Sequence, residues 1–384
     1  MKKRKKLIRI TTVPISLKTL LKEQLKFMRD YYDVIAISSD GDCFNQMLEE
    51  QGNPRSYRVE MSRKITPFKD LVSLFKLICI FVKERPDIVH THTPKAGFLG
   101  MLAAWITRVP NRFHTVAGLP LLIATGNKRK VLNCIERLTN GCATRVYPNS
   151  FVMRDIMEKE RLANPCKMKV IGNGSSNGID TLFFSPDAVT KAKEELRKEL
   201  GIADDEVAFI FVGRVVQDKG MNETCESMRE LVNEGKKCKL IVVGNFENEL
   251  NSLKPENEAF IRNNSSVKFL DFQTDVRSFL KAADVLILDS YREGFPNVVM
   301  QAGAMGLPCI VSDINGCNEI VVEGKNGLIV SPQQTKSLYE AMKKLIDNPD
   351  ILVTMAKEAR VMITSRYERK ILWEALLEEY KTVE

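Results

Sequence analysis

The sequence lacks most of the features that mark secreted, membrane-spanning or metal-binding chains. Its nine cysteines are odd in number, scattered, and form no C-x-x-C pair. Most, like Cys79 and Cys309, sit in apolar runs, the setting of buried free thiols in a reducing compartment rather than of a disulfide framework. Long apolar stretches are missing too: the longest are residues 71–82, interrupted by Lys76, and 96–106, well short of the roughly 20 residues a membrane helix needs. No secretory leader is expected. Lys2-Lys3-Arg4-Lys5-Lys6 is basic, but residues 7–10 are too short and, with Arg9, too interrupted for its apolar core. Histidine occurs three times, as His90, His92 and His114. Internal repeats and low-complexity tracts are absent apart from the basic N-terminus. At most, such a chain lies on a membrane.

What is present is length, a globular composition and an uneven charge. The 384 residues exceed what one hydrophobic core serves, so two domains of roughly 200 residues are expected. At 44% hydrophobic and 28% charged the composition is that of a soluble globular protein. The net charge of +8 hides an asymmetry: residues 1–170 hold 31 Lys+Arg against 15 Asp+Glu, or +16, and the remaining 26 against 34 give −8. A basic first half points to an anionic partner, either a membrane surface, a lipid-linked phosphate or nucleic acid. A solvated basic face with no partner is the alternative. The basic stretches lack the interleaved aromatics of single-strand nucleic-acid binding, so no nucleic acid is expected.

Taken in order, the first half reads as α/β. Residues 7–13 form a strand broken by Pro14, and Ser16 caps a helix over 17–27 with apolar residues at helical spacing. Residues 34–38 are a strand ending in Asp40-Gly41-Asp42, which is ordinary turn chemistry, since two carboxylates on one loop do not complete a metal shell. A helix over 67–82 precedes a strand near 86–91, and Thr93-Pro94-Lys95 opens a helix to Trp105. Lys95 there, with the helix dipole, is a candidate for holding a phosphate; a solvated lysine is equally compatible. Strands follow at 111–116, up to Tyr147-Pro148, and at 168–171. Lys128-Arg129-Lys130 begins a helix with cations where the dipole disfavours them, a second candidate anion or membrane contact.

The second half restarts the pattern. Residues 207–212 are an apolar strand running into Gly213-Arg214-Val215-Val216-Gln217-Asp218-Lys219-Gly220, and further strands are expected at 240–244, 267–272, 283–288 and 307–311. Between the last two, Tyr291-Arg292-Glu293-Gly294-Phe295 brings a carboxylate and unpaired N–H groups to the carboxyl end of a parallel strand, where open α/β sheets bind ligands. Pro296 in the first turn and Gly306 at the C′ position bound one helix. Asn297 and Gln301 share a face of it, and Val298, Ala302 and Met305 form its buried stripe. Closing helices are expected over 334–346 and 350–380.

Glu293-Gly294-Phe295-Pro296-Asn297, the helix after it, Gly306-Leu307-Pro308 and Asn318-Glu319-Ile320 resemble the signature of the retaining, nucleotide-sugar-dependent glycosyltransferases of family 4, the group 1 transferases. Gly213-Arg214 to Lys219-Gly220 is similar to the family's G-R-x-x-x-x-K-G, and Asn177-Gly178-Ile179-Asp180 to its N-G-x-D between domains. The second glutamate of E-G-x-P-N-x-x-x-E is Gln301 here, and the T-x-H-G histidine is Ala117. His114, three residues earlier, lies on the other face of its strand and is expected to be packed or on the surface.

The resemblance implies an α/β chain of two Rossmann-like domains facing a cleft, the GT-B arrangement. Residues 1–185 would bind acceptor and 186–384 the nucleotide sugar, with the last helix packing back on the first domain. It further implies transfer from a nucleotide sugar, most simply a UDP-sugar, with retention. Arg214 and Lys219 would hold the diphosphate beside Gly213, while Glu293 orients the donor sugar. The N–H groups from Phe295 to Val298 would assist, Gln301 would face the ribose, and Phe272 and Gln273 would lie by the base, although Asp271 stands where the family often has Gly. No cofactor or metal is implied, because protein cations do that work. With the basic first half, the implied acceptor is a polyprenyl-diphosphate-linked saccharide of capsule, lipopolysaccharide or similar surface polysaccharide, reached peripherally at the cytoplasmic membrane face. Two other readings stay open: an epimerase of the same fold, which should lack the combination of both motifs, and a non-catalytic nucleotide-sugar binder.

Overall fold

The computed structural model describes residues 4–41, 43–62 and 66–383; Lys2, Lys3 and Asp42 lie outside them. The chain divides into two compact units, residues 1–177 with 370–384, and residues 178–369. The division falls at the N-G-x-D segment rather than near 185. Residues 178–185 go with the second unit because their backbone is tied there: Ile179 N–H donates to Tyr367 O at 2.8 Å, and Arg369 N–H to Ile179 O at 2.9 Å. Gly178, at φ +65°, leaves room for Tyr367 O, which a Cβ would meet at 2.6 Å.

The first unit is a parallel six-stranded sheet: β1 (Lys6–Ile10), β2 (Asp33–Ser38), β3 (Arg55–Arg58), β4 (Ile88–His92), β5 (Asn111–Val116) and β6 (Arg145–Pro148), in the order 3-2-1-4-5-6. The helices Pro67–Glu84, Pro94–Ile106 and Gly126–Cys142 pack on one face over a core of Ile8, Ile10, Leu77, Phe81 and Val146. On the other face lie Leu17, Leu25 and Met47 from short N-terminal helices, together with Leu372, Leu376 and Tyr380 of the C-terminal helix Arg369–Lys381. Tyr380 is fully buried; its hydroxyl accepts from Arg9 Nη1 at 3.0 Å and pairs with His90 Nδ1 at 2.5 Å.

The second unit repeats the plan with β7 (Val207–Val212), β8 (Cys238–Val243), β9 (Val267–Leu270), β10 (Val285–Leu288), β11 (Cys309–Ser312) and β12 (Gly327–Val330), ordered 12-11-10-7-8-9. Read from its other edge, this is the first unit's order. All pairings are parallel, and the order reverses between β7 and β10, so ligands are expected at the carboxyl ends of those two strands.

Several expected elements differ. Residues 14–28 are two short helices, Pro14–Leu20 and Gln24–Met28, rather than one opened by Ser16. Pro14 supplies the first turn, and Glu23 at φ +60° separates them. Residues 168–171 form only a single bridge, Met168 to Val146 of the edge strand β6, before the chain turns at Gly172, φ +56°. The expected helix over 350–380 is two, Pro349–Tyr367 and Arg369–Lys381, because Glu368 turns extended where its neighbours bond to Ile179.

Candidate active site

Local chemistry puts two loops side by side at the switch point. After β7 the chain turns through Gly213, and β8 leaves through Gly244, whose Cβ would stand 1.8 Å from Gly213 O. Only glycine at 244 lets the strand ends meet, and Val215 N–H then donates to Asn245 O at 2.9 Å. The β7 loop closes in a 3-10 turn, Gln217–Lys219, ending at Gly220, φ +73°. A Cβ on Gly220 would lie 2.0 Å from Asp289 O, so the loop after β7 rests against the end of β10.

That contact is zipped by backbone groups. Tyr291 N–H donates to Asp218 O at 2.9 Å, Ser290 Oγ to the same carbonyl at 3.1 Å, and Arg292 Nη2 reaches Asp218 Oδ2 at 3.2 Å. The loop after β11 holds the other side: Asn315 Nδ2 donates to Glu293 O at 2.9 Å and to Gly294 O at 3.0 Å. Gly316, at φ +78°, lets Gly294 O come within 2.4 Å of where a Cβ would be. The result is an ion pair between residues 74 apart, Lys219 Nζ to Glu293 Oε1 at 2.5 Å. Both side chains are mostly buried, at 18% and 14% exposed, so their field is screened far less than that of a surface pair.

The other expected site residues fall around this pair. Arg214 is exposed and reaches Glu247 Oε2, in the loop after β8, at 3.2 Å rather than the Lys219–Glu293 pair. Pro296 stands one residue before the helix Asn297–Ala304, whose C′ residue Gly306 is left-handed at φ +81°. Phe295 packs edge-on against Tyr367 with ring centroids 5.4 Å apart. Of the expected buried stripe, Ala302 and Met305 are inside, joined by Val299, Met300 and Gly303, whereas Val298 is only partly buried against the core. The helix is buried over more than the one stripe its spacing marks out, and Val298 lies at the edge of that buried surface. Phe272 is exposed at the end of β9, its N–H donating to Asn245 Oδ1 at 2.9 Å. It lines a hollow of about 600 Å³ with Asn245, Phe246, Arg262 and Asp271. Gln273 donates only to Asp271 O, at 3.2 Å, and is not among that lining.

Sequence reading missed a carboxylate group behind the pair. Asp289 is fully buried, and among the described residues neither of its carboxylate oxygens has a hydrogen-bond partner. Burial, with the negative charge of Glu223, pushes its carboxyl up to about 8. Glu223 Oε1 accepts from Tyr291 Oη at 2.7 Å, and its second oxygen is unpartnered. Neither residue is legible as a site residue in the chain, because Asp289 simply closes an apolar strand and Glu223 lies in an ordinary helix. Cys317 is also buried here; desolvation and the charge of Glu293 raise its thiol well above the usual range, so it stays protonated and is no nucleophile.

In the first unit, His114 is packed, as expected: it bonds Thr91 Oγ1 at 2.8 Å, and burial lowers it to about 4. Lys95 is not a free cation, because it is ion-paired with Asp70 at 2.5 Å. Both line a cavity of about 1000 Å³ with Phe98, Leu121, Lys128 and Glu136. Arg129 pairs with Glu160 at 3.0 Å.

With this geometry in hand, comparison with known proteins is specific. The family model "Glycosyl transferases group 1" matches residues 192–362, and a "Glycosyl transferase 4-like domain" matches residues 27–174. The chain is 35% identical to the capsular polysaccharide biosynthesis glycosyltransferase CapM of Staphylococcus aureus, over 99% of this chain and 98% of that one. It is 31% identical, over 88% of this chain and 86% of the other, to an Escherichia coli protein named UDP-Gal:alpha-D-GlcNAc-diphosphoundecaprenol alpha-1,3-galactosyltransferase. Among solved structures, HepE of Anabaena in complex with UDP superposes with a TM-score of 0.82 at 20% identity, covering 98% of this chain and all of that one.

Proposed function

The chain belongs to the group 1 glycosyltransferases, and from that premise we propose that it moves a sugar from a nucleotide sugar, most simply a UDP-sugar, to a polyprenyl-diphosphate-linked saccharide, with retention at the anomeric carbon. The observation that carries the reading is the mostly buried Lys219–Glu293 pair at the β7/β10 switch point. Bond breaking leaves charge on a nucleoside diphosphate, and a fixed, poorly screened ammonium stabilises that charge most where it develops. Lys219 holds the diphosphate, Arg214 adds a second cation at the rim, and Glu293 orients the donor sugar. The N–H groups around Phe295 to Val298 assist, and Phe272 offers an exposed ring for the base. No protein nucleophile is assigned; the leaving phosphate takes the acceptor's proton, as the family model has it. Needing no metal or cofactor is part of the same proposal, since the two protein cations neutralise the leaving group.

The acceptor is assigned to the first unit. The names of the S. aureus and E. coli relatives support a lipid-linked acceptor in capsule or related polysaccharide synthesis. The cavity beside Lys95, Lys128 and Glu136 offers apolar walls and hydrogen-bonding groups of the kind a saccharide needs. No described helix is long and apolar enough to cross a membrane. The site of action proposed with this acceptor is the cytoplasmic membrane face, reached peripherally.

The test is turnover of a panel of UDP- and GDP-sugars by purified protein, with membrane extract as acceptor source and Glu293→Ala as control. Transfer of one sugar into the lipid fraction, abolished in the variant, is expected. Conversion of the nucleotide sugar without acceptor would instead make the protein an epimerase, and binding without turnover a non-catalytic binder. Gln301 gives a second expected result. A neutral amide accepts a weaker hydrogen bond than a carboxylate, so Gln301→Glu should tighten UDP binding by about three- to ten-fold in calorimetry. An unchanged affinity would place residue 301 away from the ribose.

A further inference from the structure

The helix Pro67–Glu84 has two apolar faces, and only one is buried. Leu77 and Phe81 enter the core beneath it. Phe68, Leu71, Val72, Phe75, Cys79 and Val82 are all exposed, Phe68 at 88% and Phe75 at 66%. At helical pitch these six fall within about 100° of arc, a continuous stripe on the outer side. Lys69, Lys76 and Lys83 recur every seven residues along one border of it. The helix has two acidic residues and neither reaches the stripe: Asp70 is ion-paired with Lys95, and Glu84 is buried against Lys6. An outward apolar face edged only by cations is unstable against water and matched to an anionic amphiphile.

The neighbouring helices carry the same character. Helices Pro94–Ile106 and Gly126–Cys142, on the same sheet face, expose Trp105, Ile106, Val131 and Leu138. Ten of the nineteen large apolar side chains exposed among the described residues fall in residues 67–142, a fifth of the chain. That segment holds 11 Lys+Arg against 4 Asp+Glu, or +7, a little under half of the first half's +16. Greasy and basic surface therefore coincide on one helical layer.

We propose that this layer, led by the helix Pro67–Glu84, docks on an anionic phospholipid surface; the inference builds on the lipid-linked acceptor proposed above and names the surface that meets the membrane. The apolar stripe enters the headgroup boundary and the lysine row pairs with lipid phosphates. Each lysine at such a surface is worth a factor of about five in partitioning. A second copy of the chain fits less well, because the same helix face offers no carboxylate to neutralise the three lysines.

The test is sedimentation of the full-length protein with vesicles of phosphatidylglycerol and phosphatidylcholine, against phosphatidylcholine alone. Binding to the acidic vesicles is expected, and it should weaken in salt of about 0.5 M. Leu71→Glu/Phe75→Glu, at exposed positions that leave the core intact, should lower partitioning at least ten-fold. Lys69→Glu/Lys76→Glu/Lys83→Glu should do so on acidic vesicles while leaving UDP affinity unchanged. Equal sedimentation of wild type and both variants overturns the proposal, as does wild type that stays in the supernatant. So does a dimer formed without lipid and dissolved by Phe75→Glu. Transfer to detergent-dispersed acceptor, measured on the same preparations, reports separately on the enzymatic reading. Vesicle binding lost only in the variants supports the docking surface even if no sugar is transferred, whereas transfer without vesicle binding leaves the enzyme standing and removes the surface.

Discussion

Lys219→Ala is expected to slow sugar transfer by about a thousand-fold, roughly 4 kcal/mol of transition-state stabilisation, while the protein remains folded. The size of the effect follows from burial. Lys219 is 18% exposed and its countercharge, Glu293, lies 2.5 Å away, so its ammonium acts in a medium where charge is weakly screened. Removing it takes a cation from the leaving diphosphate and leaves Glu293 as a bare carboxylate facing that diphosphate. The second effect is separable: adding Glu293→Gln to Lys219→Ala should restore part of the lost UDP affinity but none of the lost rate. Arg214, with 44% of its side chain exposed and paired to Glu247, should matter less, with Arg214→Ala costing about ten- to a hundred-fold. Initial rates with a saturating acceptor, and calorimetric UDP affinities, give the ordering. A Lys219→Ala enzyme within ten-fold of wild type would remove Lys219 from the diphosphate site.

The two halves of this site were unequally visible in the chain. Arg214, Lys219 and Glu293 are legible because their motifs follow buried strands, and parallel strands deliver their following loops to one end of a sheet. Their pairing is not legible. It depends on β7 and β10 being neighbours, which strand order decides and local sequence does not. The order 12-11-10-7-8-9 also involves a strand that periodicity overlooks, β12: it is short and opens on Gly327, whose Cβ would strike Cys309 O. In the first unit β3 is likewise missed, because Arg55-Ser56-Tyr57-Arg58 is an edge strand with a polar sequence. Asn315 and Gly316 had a usable cue, since Asn-Gly after an apolar strand is a turn signal, yet nothing in it foretold the grip on Glu293 and Gly294. The stripe on the helix Pro67–Glu84 is a third case. Its apolar residues read as helix, correctly, but periodicity does not say which of its two apolar faces is covered, and only solvent exposure separates core from surface.

Asp289→Asn should stabilise the protein at alkaline pH and leave it unchanged in acid, and the sign follows from where the proton sits. The carboxyl of Asp289 is fully buried, makes no hydrogen bond among the described residues, and lies in the field of Glu223. Burial comes first among the causes that push it up to about 8, against about 3.9 in an unfolded chain. Between those two values the folded state keeps a proton that the unfolded state has released. Stability therefore falls as pH rises from about 4, and the loss is complete above about 8. The penalty at pH 8.5 should be on the order of 5 kcal/mol, and the isosteric amide carries none of it. Urea unfolding at pH 5 and pH 8.5 should show wild type and variant close together at the lower pH and separated at the higher. The donor site should feel the same titration, because Gly220, next to Lys219, packs directly against Asp289. A carboxylate appearing there opposes a bound diphosphate, so UDP affinity should decline above pH 8 in wild type and hold in Asp289→Asn. Parallel stability profiles for the two proteins would mean that Asp289 is ionised throughout, with an unseen partner satisfying its charge.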